Sequence, residues 1–155
     1  MFAAILALLF TVSSLMLFPL DARAQRIENN VRIKVGMYLG QSAGFDQSLV
    51  SESSGYVGYY SNAQLYDYPG LTSPLSYHTL ADAPPQDRSL LYLIYRLQPD
   101  WVVLRPVERK ALAERYPDIY ARYTTARIFT TDPRLNNWGI TEDTIDATFY
   151  VLRRQ

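Results

Sequence analysis

The sequence predicts an α/β fold in which an N-terminal transmembrane helix or signal segment (residues 1–24) precedes a small mixed-sheet domain with helices packed on the sheet (residues 25–155). Three patterns predict this architecture. Residues 2–20 carry no charge, short apolar runs of strand length alternate with segments of helical periodicity, and two late segments alternate like an antiparallel pair. A chain of 155 residues remains long enough for one hydrophobic core once the first two dozen residues are set aside.

The N-terminal apolar segment determines the expected compartment. Residues 2–20 approach the length of about 20 apolar helical residues that a bilayer core requires. Two interpretations stay open: a retained membrane span, and a secretory signal cleaved after Ala24, because residues 22–24 form an A-x-A pattern. No Lys or Arg precedes the segment, which favours the span over a conventional signal. A buried core helix fits the length and the missing polar face less well.

The charges that follow this segment argue against a simple anchor whose N-terminus lies in the cytoplasm. Arg23, Arg26, Arg32 and Lys34 come after it, and the positive-inside rule alone would leave them in the cytoplasm. The positive-inside expectation no longer decides the orientation if the segment is the last span of a longer multi-span protein, because the earlier helices would then fix the topology.

The next stretch has two readings. Residues 31–39 alternate like a strand but also share an apolar helical face. Asn29 or Asn30 could serve as an N-cap, which favours a helix that ends near Gly40.

Two short strands are predicted in the middle of the chain. Residues 47–52 form the first, and after a Ser-Ser-Gly break an aromatic stretch at 56–60 predicts the start of a helix. Residues 64–68 form the second strand, which ends at Pro69 because proline cannot continue a central ladder.

The second half gives clearer signals. Leucines and Ile94 at helical spacing predict a helix that ends before Pro99. Residues 101–104 are continuously apolar, as expected for a central strand buried on both faces. A helix then begins at Pro106 and ends at Pro117. Finally, two alternating segments predict an antiparallel pair separated by a polar loop, with strands at residues 126–130 and 147–152.

Composition excludes several kinds of chemistry. Fifteen basic and fifteen acidic residues balance, so no strong field favours nucleic-acid binding. The chain has no cysteine, which removes thiolate nucleophiles and thiolate metal ligands. His78, the single histidine, is expected to be a solvated loop residue. We therefore expect no metal, no cofactor and no catalytic residue.

Two carboxylates are the main candidates for a site. Glu52 and Asp67 each lie at the predicted carboxyl end of a strand, where open α/β sheets place their ligands. As a pair they could perform acid and base chemistry in a small hydrolase, whereas the alternative is that each caps the turn that follows it. Gly55 and Gly58 lie in a weak phosphate-turn pattern that lacks the G-x-G-x-x-G spacing.

Four segments carry a resemblance to a known family, and their letters are VSESSGYVGYYS (50–61), YDYPGLTSP (66–74), LQPDWVVLRP (97–106) and FYVLRR (149–154). In this order they resemble the extracytoplasmic C-terminal domain of bacterial multi-span glycosyltransferases, similar to protein-mannosyltransferase and lipid-A-arabinosyltransferase proteins. The family shows an acidic residue that ends a strand, a G-x-[IV]-G-Y-Y-S stretch and a D-x-x-G-L turn with a nearby S-P. The resemblance covers most of residues 31–154.

The resemblance implies a location and a limited function. Such enzymes transfer sugars from polyprenyl-phosphate donors within a pocket of many membrane helices, which have no counterpart in this chain. The resemblance therefore implies a truncated or split piece, anchored in the inner membrane through residues 2–20, with residues 25–155 on the periplasmic side. Such a piece would not be catalytic alone and would pack against a multi-span transferase or bind a glycan or polyprenyl-linked sugar. The candidate binding residues are Glu52, Tyr59, Tyr60 and Asp67. The alternative from another class is a secreted binding module released after Ala24.

Overall fold

In a computed structural model of the chain, the described residues are 6, 11–12, 22, 25–52, 54–138 and 146–155. The elements follow in chain order after a helical stretch at 25–27 and a π-helical turn at Glu28–Arg32. They are α1 (Ile33–Ser42), β1 (Ser48–Ser51), α2 (Gly55–Tyr60), β2 (Gln64–Asp67), α3 (Pro74–Ala81), a 3-10 turn (Pro85–Asp87), α4 (Leu90–Leu97), β3 (Trp101–Leu104), α5 (Pro106–Arg115), α6 (Pro117–Tyr120), β4 (Tyr123–Thr130), a 3-10 turn (Pro133–Trp138) and β5 (Thr148–Arg154).

The five strands form one mixed sheet in the order β2-β1-β3-β5-β4. β1 is parallel to β2 and to β3, whereas β5 is antiparallel to both β3 and β4. The prediction that residues 101–104 form the central strand is confirmed, because β3 occupies the middle of the sheet and all four of its residues are buried. The predicted antiparallel pair is also confirmed, with longer strands than expected.

Helices cover both faces of this sheet, which confirms a mixed-sheet α/β domain. On one face, α1 and α2 pack through Val35, Leu39 and Val57 against Trp101 and Val103. On the other face the chain uses α3 to α6, and the buried residues there are Val50, Leu80, Leu90, Leu93, Ile94, Val102, Leu104, Leu112, Ile119, Tyr123 and Leu152. The first crossover runs from β1 to β2, and the second runs in the opposite direction from β2 past β1 to β3. Since both are expected to be right-handed, their helices lie on opposite faces.

Two glycines allow α1 and α2 to pack closely. A Cβ at Gly36 would lie 2.6 Å from the carbonyl oxygen of Tyr56, and one at Gly40 would lie 2.3 Å from that of Tyr60. Because both neighbours are backbone atoms, neither can move aside as a side-chain tip would. The lack of a side chain at these two positions therefore allows α2 to pack directly against the backbone of α1.

Three local predictions need correction. The helix at 33–42 is present but does not start at Asn29 or Asn30, because residues 25–27 are already helical and Asn30 lies in the π-helical turn. Asn30 Nδ2 donates to the carbonyl oxygen of Arg26 at 3.0 Å, so its side chain serves the turn before it and caps no N-terminus. The same helix ends at Ser42, two residues beyond Gly40. His78 is exposed as expected but lies on α3, a helix that the sequence pattern did not predict.

The predicted membrane span falls almost entirely outside the described residues. Of residues 2–20, the structure describes Leu6, Thr11 and Val12. In the ranges that are described, every helix is too short or too polar to cross a bilayer.

Candidate functional site

The carboxyl ends of the three parallel strands meet at one edge of the sheet, here called the carboxyl edge. Glu52 follows β1, Asp67 ends β2 and Arg105 follows β3. β5 runs in the opposite direction, so Asp146, two residues before it begins, reaches the same edge. The chain that leaves β1 and the chain that leaves β3 turn to opposite faces of the sheet, which makes the gap between these two strands a topological switch point. Open α/β sheets bind their ligands at such a point.

Arg105 lies at this switch point and is surrounded by carboxylates. Its Nη1 donates to Glu52 and, at 2.8 Å, to Oε1 of Glu108, while its Nε donates to Asp146. Asp146 accepts a further bond from Nη2 of Arg32 at 2.5 Å. We call these five residues (Arg32, Glu52, Arg105, Glu108 and Asp146) the arginine network. It joins the π-helical turn before α1, the ends of β1 and β3, α5 and the segment before β5 across the edge of the sheet.

The pKa values of both Arg105 and Glu108 are raised within the network, which favours the charged form of the arginine and the neutral form of the glutamate. Burial alone would lower the pKa of Arg105, but the hydrogen bonds to Glu52 and Asp146 raise it above its usual value. Burial raises the pKa of Glu108 despite the attraction of Arg105, and the nearby Glu52 adds to that rise. Two guanidinium groups face three carboxylates, so the network carries one excess negative charge when all are ionised.

Asp67 has a different environment, although it ends the neighbouring strand. Its side chain is fully buried, at 0% exposure. Its oxygens accept from the backbone N–H groups of Leu71 (2.6 Å), Thr72 (3.1 Å) and Ser73 (2.8 Å), and from the Thr72 hydroxyl (2.8 Å). Burial alone would raise the pKa of Asp67, but these hydrogen bonds outweigh it and hold the pKa below its ordinary value. This is the turn-capping arrangement weighed as the alternative for this residue.

The rest of the D-x-x-G-L turn and the S-P that follows it have structural roles as well. Gly70 has a positive φ of 94°, which L side chains rarely adopt, and a Cβ there would lie 2.8 Å from the backbone nitrogen of Tyr77. Ser73 caps α3 by accepting from the N–H of Ser76, and Pro74 takes the first helical position. The motif therefore builds a rigid connection from β2 to α3.

The predicted site residues thus form two groups. Glu52 joins the arginine network and is 39% exposed, whereas Asp67 is enclosed in its own turn. Tyr59 and Tyr60 lie together on α2, with ring centroids 5.0 Å apart, and Tyr60 also stacks on Tyr56 at 6.3 Å. Tyr59 is 81% exposed. Binding through these four residues stays a prediction.

Sequence reasoning missed the centre of the network. In the sequence, Arg105 is only the residue between the apolar strand at 101–104 and Pro106, and its partners Glu52 and Asp146 lie 53 and 41 residues away in the chain. One signal was available: a lone arginine directly after the most apolar strand must end at the carboxyl edge. Glu108 could have been found too, because it lies three residues from Arg105, in the position of a capping box.

Two cavities lie outside the arginine network. One cavity of about 280 Å³ is lined by Tyr68, Pro69, Tyr77, Leu80, Ala81 and Arg88. A second, of about 380 Å³, lies between α3 and α4 and includes His78, Asp82 and Arg96. In the part of the chain that the structure describes, no group of His, Asp and Glu side chains is arranged to hold a metal ion.

The protein is a small three-layer α/β domain, and the ion pairs of the arginine network occupy the switch point at its carboxyl edge. The family model described as "Domain of unknown function (DUF8728)" matches residues 21–150, and the chain belongs to this family. The matched region begins directly after the apolar segment at 2–20. No curated protein and no solved structure matches the chain.

Proposed function

We propose that this chain is a membrane-anchored periplasmic α/β domain, derived from or associated with a multi-span glycosyltransferase, that binds a partner or glycan and does not catalyse sugar transfer by itself. The apolar segment at 2–20 is the anchor in the inner membrane, and residues 25–155 lie on the periplasmic side. The observation that carries the proposal is the arginine network at the switch point.

The network favours binding over catalysis. A general base must be within hydrogen-bond reach of the group that it deprotonates. Here the three carboxylates each pair with a guanidinium, and Asp67 uses its oxygens to hold the turn after β2. The geometry therefore gives the hydrolase hypothesis for Glu52 and Asp67 no support. It suits a stable scaffold that presents a surface.

The positions of the family-like motifs also support the proposal. The four segments fall on β1 with α2, on β2 with its turn, on β3, and on β5. Three of them bring a charged residue to the carboxyl edge: Glu52, Asp67 and Arg105. Motifs that meet at one edge of a sheet are better explained by a shared domain than by unrelated short matches.

The exposed tyrosines of α2 provide the proposed binding surface. Tyr59 and Tyr60 present aromatic rings on α2, the helix that follows Glu52 in the chain, and Glu52 has the most exposed carboxylate of the network. Aromatic faces stack on the apolar faces of sugars, and a carboxylate accepts hydrogen bonds from sugar hydroxyls. This combination suits a glycan acceptor or the sugar of a polyprenyl-linked donor.

The experiment uses the purified full chain in detergent micelles, titrated with methyl mannoside and with methyl arabinoside. The shifts of the tyrosine ring signals are followed by NMR. We expect saturable shifts that disappear in Tyr59→Ala and persist in Tyr77→Ala, an exposed tyrosine on α3. We also expect no sugar transfer from a polyprenyl-phosphate donor by the chain alone. Transfer by the isolated chain, or identical behaviour of both variants, contradicts the proposal.

One observation favours the secreted alternative as a second candidate. Ile27, three residues beyond Ala24, packs with Ala147 and Leu135. Cleavage after Ala24 would therefore leave this contact and the arginine network intact. Recovery of a soluble periplasmic protein that begins at Gln25 would support release, whereas membrane-bound protein that retains residues 1–24 would exclude it.

A further inference from the structure

The N-terminal helix leaves the domain at the carboxyl edge. α1 ends near the amino end of β1, so it runs back across the sheet and its first turn lies at the opposite edge. Two contacts fix that turn there: the Arg32–Asp146 ion pair, and the packing of Ile27 against Ala147 and Leu135. The helix continues backwards through residues 25–27, and Arg26 donates to the carbonyl oxygen of Ala22 at 3.0 Å.

The length of this helix sets the distance between the edge and the apolar segment. From Arg32 back to Gln25 the helix extends about 10 Å at 1.5 Å per residue. The chain from Gln25 to Leu20, where the apolar segment ends, spans about 17 Å at most even if fully extended. The headgroup layer on each side of a bilayer is about 5 to 8 Å thick. An anchor at 2–20 therefore keeps the carboxyl edge within about 27 Å of the end of the apolar segment and makes it the edge of the sheet nearest to the headgroups.

The same edge exposes one large apolar side chain after each of its three parallel strands, either in the connection that follows or in the first turn of the next helix. Tyr56 follows β1 and is partly exposed, Leu71 follows β2 and is 80% exposed, and Val107 follows β3 and is 70% exposed. Single exposed apolar residues are common, but three on one edge, beside the exit of an apolar segment, form a surface. The backbone N–H of Leu71 is bound by Asp67, so its loop is held rigidly in this position.

We propose that the carboxyl edge is the membrane-facing surface of the domain, and that Leu71 and Val107 contact the lipid headgroup layer. This inference rests on the proposed anchor and adds to it the face that the domain presents to the bilayer. The arginine network has no excess positive charge, so contact depends on the tether and the apolar side chains and does not require anionic lipid.

The absence of native cysteine allows a direct test. Single variants Leu71→Cys, Val107→Cys and Phe45→Cys are labelled with bimane, and the full chain is reconstituted in phosphatidylcholine vesicles containing a headgroup spin label. Phe45 is the matched control, because it is 83% exposed and lies in the loop before β1, at the opposite edge. We expect the label at 71 and 107 to be quenched at least twofold more than the label at 45.

The outcomes separate this inference from the proposal on which it rests. A chain that fails to float with the vesicles contradicts the anchor and the inference together. A chain that floats but shows equal quenching at all three positions, or stronger quenching at 45, overturns the inference alone. In that case the edge is turned away from the lipid. Equal thermal unfolding of the labelled variants shows that the fold is intact.

Discussion

Replacing Asp67 with asparagine should destabilise the domain strongly without any ligand being present. In the native turn its Oδ2 accepts from the N–H of Leu71 at 2.6 Å, and its Oδ1 accepts from Ser73 and from the Thr72 hydroxyl, both at 2.8 Å. Asparagine keeps one acceptor oxygen and turns an NH₂ group towards the remaining N–H donors. The change removes at least one charge-assisted hydrogen bond and weakens the others.

The magnitude follows from these contacts. A hydrogen bond to a charged group contributes about 1.5 to 3 kcal/mol, and a buried donor left unpaired costs about 1 to 3 kcal/mol. We therefore expect Asp67→Asn to lose about 3 kcal/mol of the free energy of unfolding, a large share of the 5 to roughly 15 kcal/mol typical of a domain. Tm should fall by about 10 °C. Asp82→Asn is the control, because Asp82 is exposed at the end of α3, and it should change stability by less than about 0.5 kcal/mol.

The pH dependence has a definite sign. The pKa of Asp67 in the folded protein lies below its ordinary value, so its contribution to stability is fully present above the unfolded-state pKa of about 4 and is lost as the pH falls through the folded pKa. The difference between the wild type and Asp67→Asn should therefore be constant from pH 7 to about pH 5 and shrink below about pH 4. Urea unfolding followed by the fluorescence of Trp101, which is buried in the core, measures it. A variant that unfolds within about 0.5 kcal/mol of the wild type at pH 7 would refute this reasoning.

Two further substitution sets test the network and the helix packing. Arg105→Met leaves three neighbouring carboxylates with one guanidinium, so the domain should lose about 3 kcal/mol of its free energy of unfolding at pH 7, and this loss should shrink in acid. Glu52→Gln removes only a half-exposed ion pair and should cost less than about 1 kcal/mol. Equal losses for the two variants in urea unfolding would contradict the assigned geometry. Gly36→Ala and Gly40→Ala should each destabilise the domain by about 1 to 3 kcal/mol in thermal unfolding. Gly55→Ala is the control: its Cβ meets nothing within 4 Å, so the change should be neutral or slightly stabilising. A neutral Gly40→Ala would mean that α1 and α2 do not pack as described.

Local sequence signals predicted most of the fold. The apolar run at 101–104 and the helical spacing before Pro99 describe neighbours along the chain, and both elements formed where expected. α3 was missed because Ser76 and Leu80 are its buried residues, which leaves little apolar periodicity. The Ser73-Pro74 pair was a usable signal, since serine before proline suits a helix start.

The candidate site was less accessible to sequence reasoning. The position of Asp67 at the end of a strand makes it a candidate from the sequence. Whether its carboxylate faces a ligand or its own turn depends on the path of the loop that follows, and the sequence pattern does not specify that path. The Arg32–Asp146 pair joins residues 114 positions apart, and no local pattern links them. Pairings of this kind depend on the order of strands in the sheet, and a single sequence does not specify that order.

The most direct test of the central claim combines fractionation with labelling of one exposed position. Phe45→Cys is expressed in intact bacterial cells, treated with a membrane-impermeant maleimide, and the protein is recovered from membrane and soluble fractions with its N-terminal peptide identified. The account predicts labelled protein in the membrane fraction that retains residues 1–24 and resists extraction by carbonate. Soluble protein that begins at Gln25, or membrane protein labelled only after the cells are broken, would contradict it.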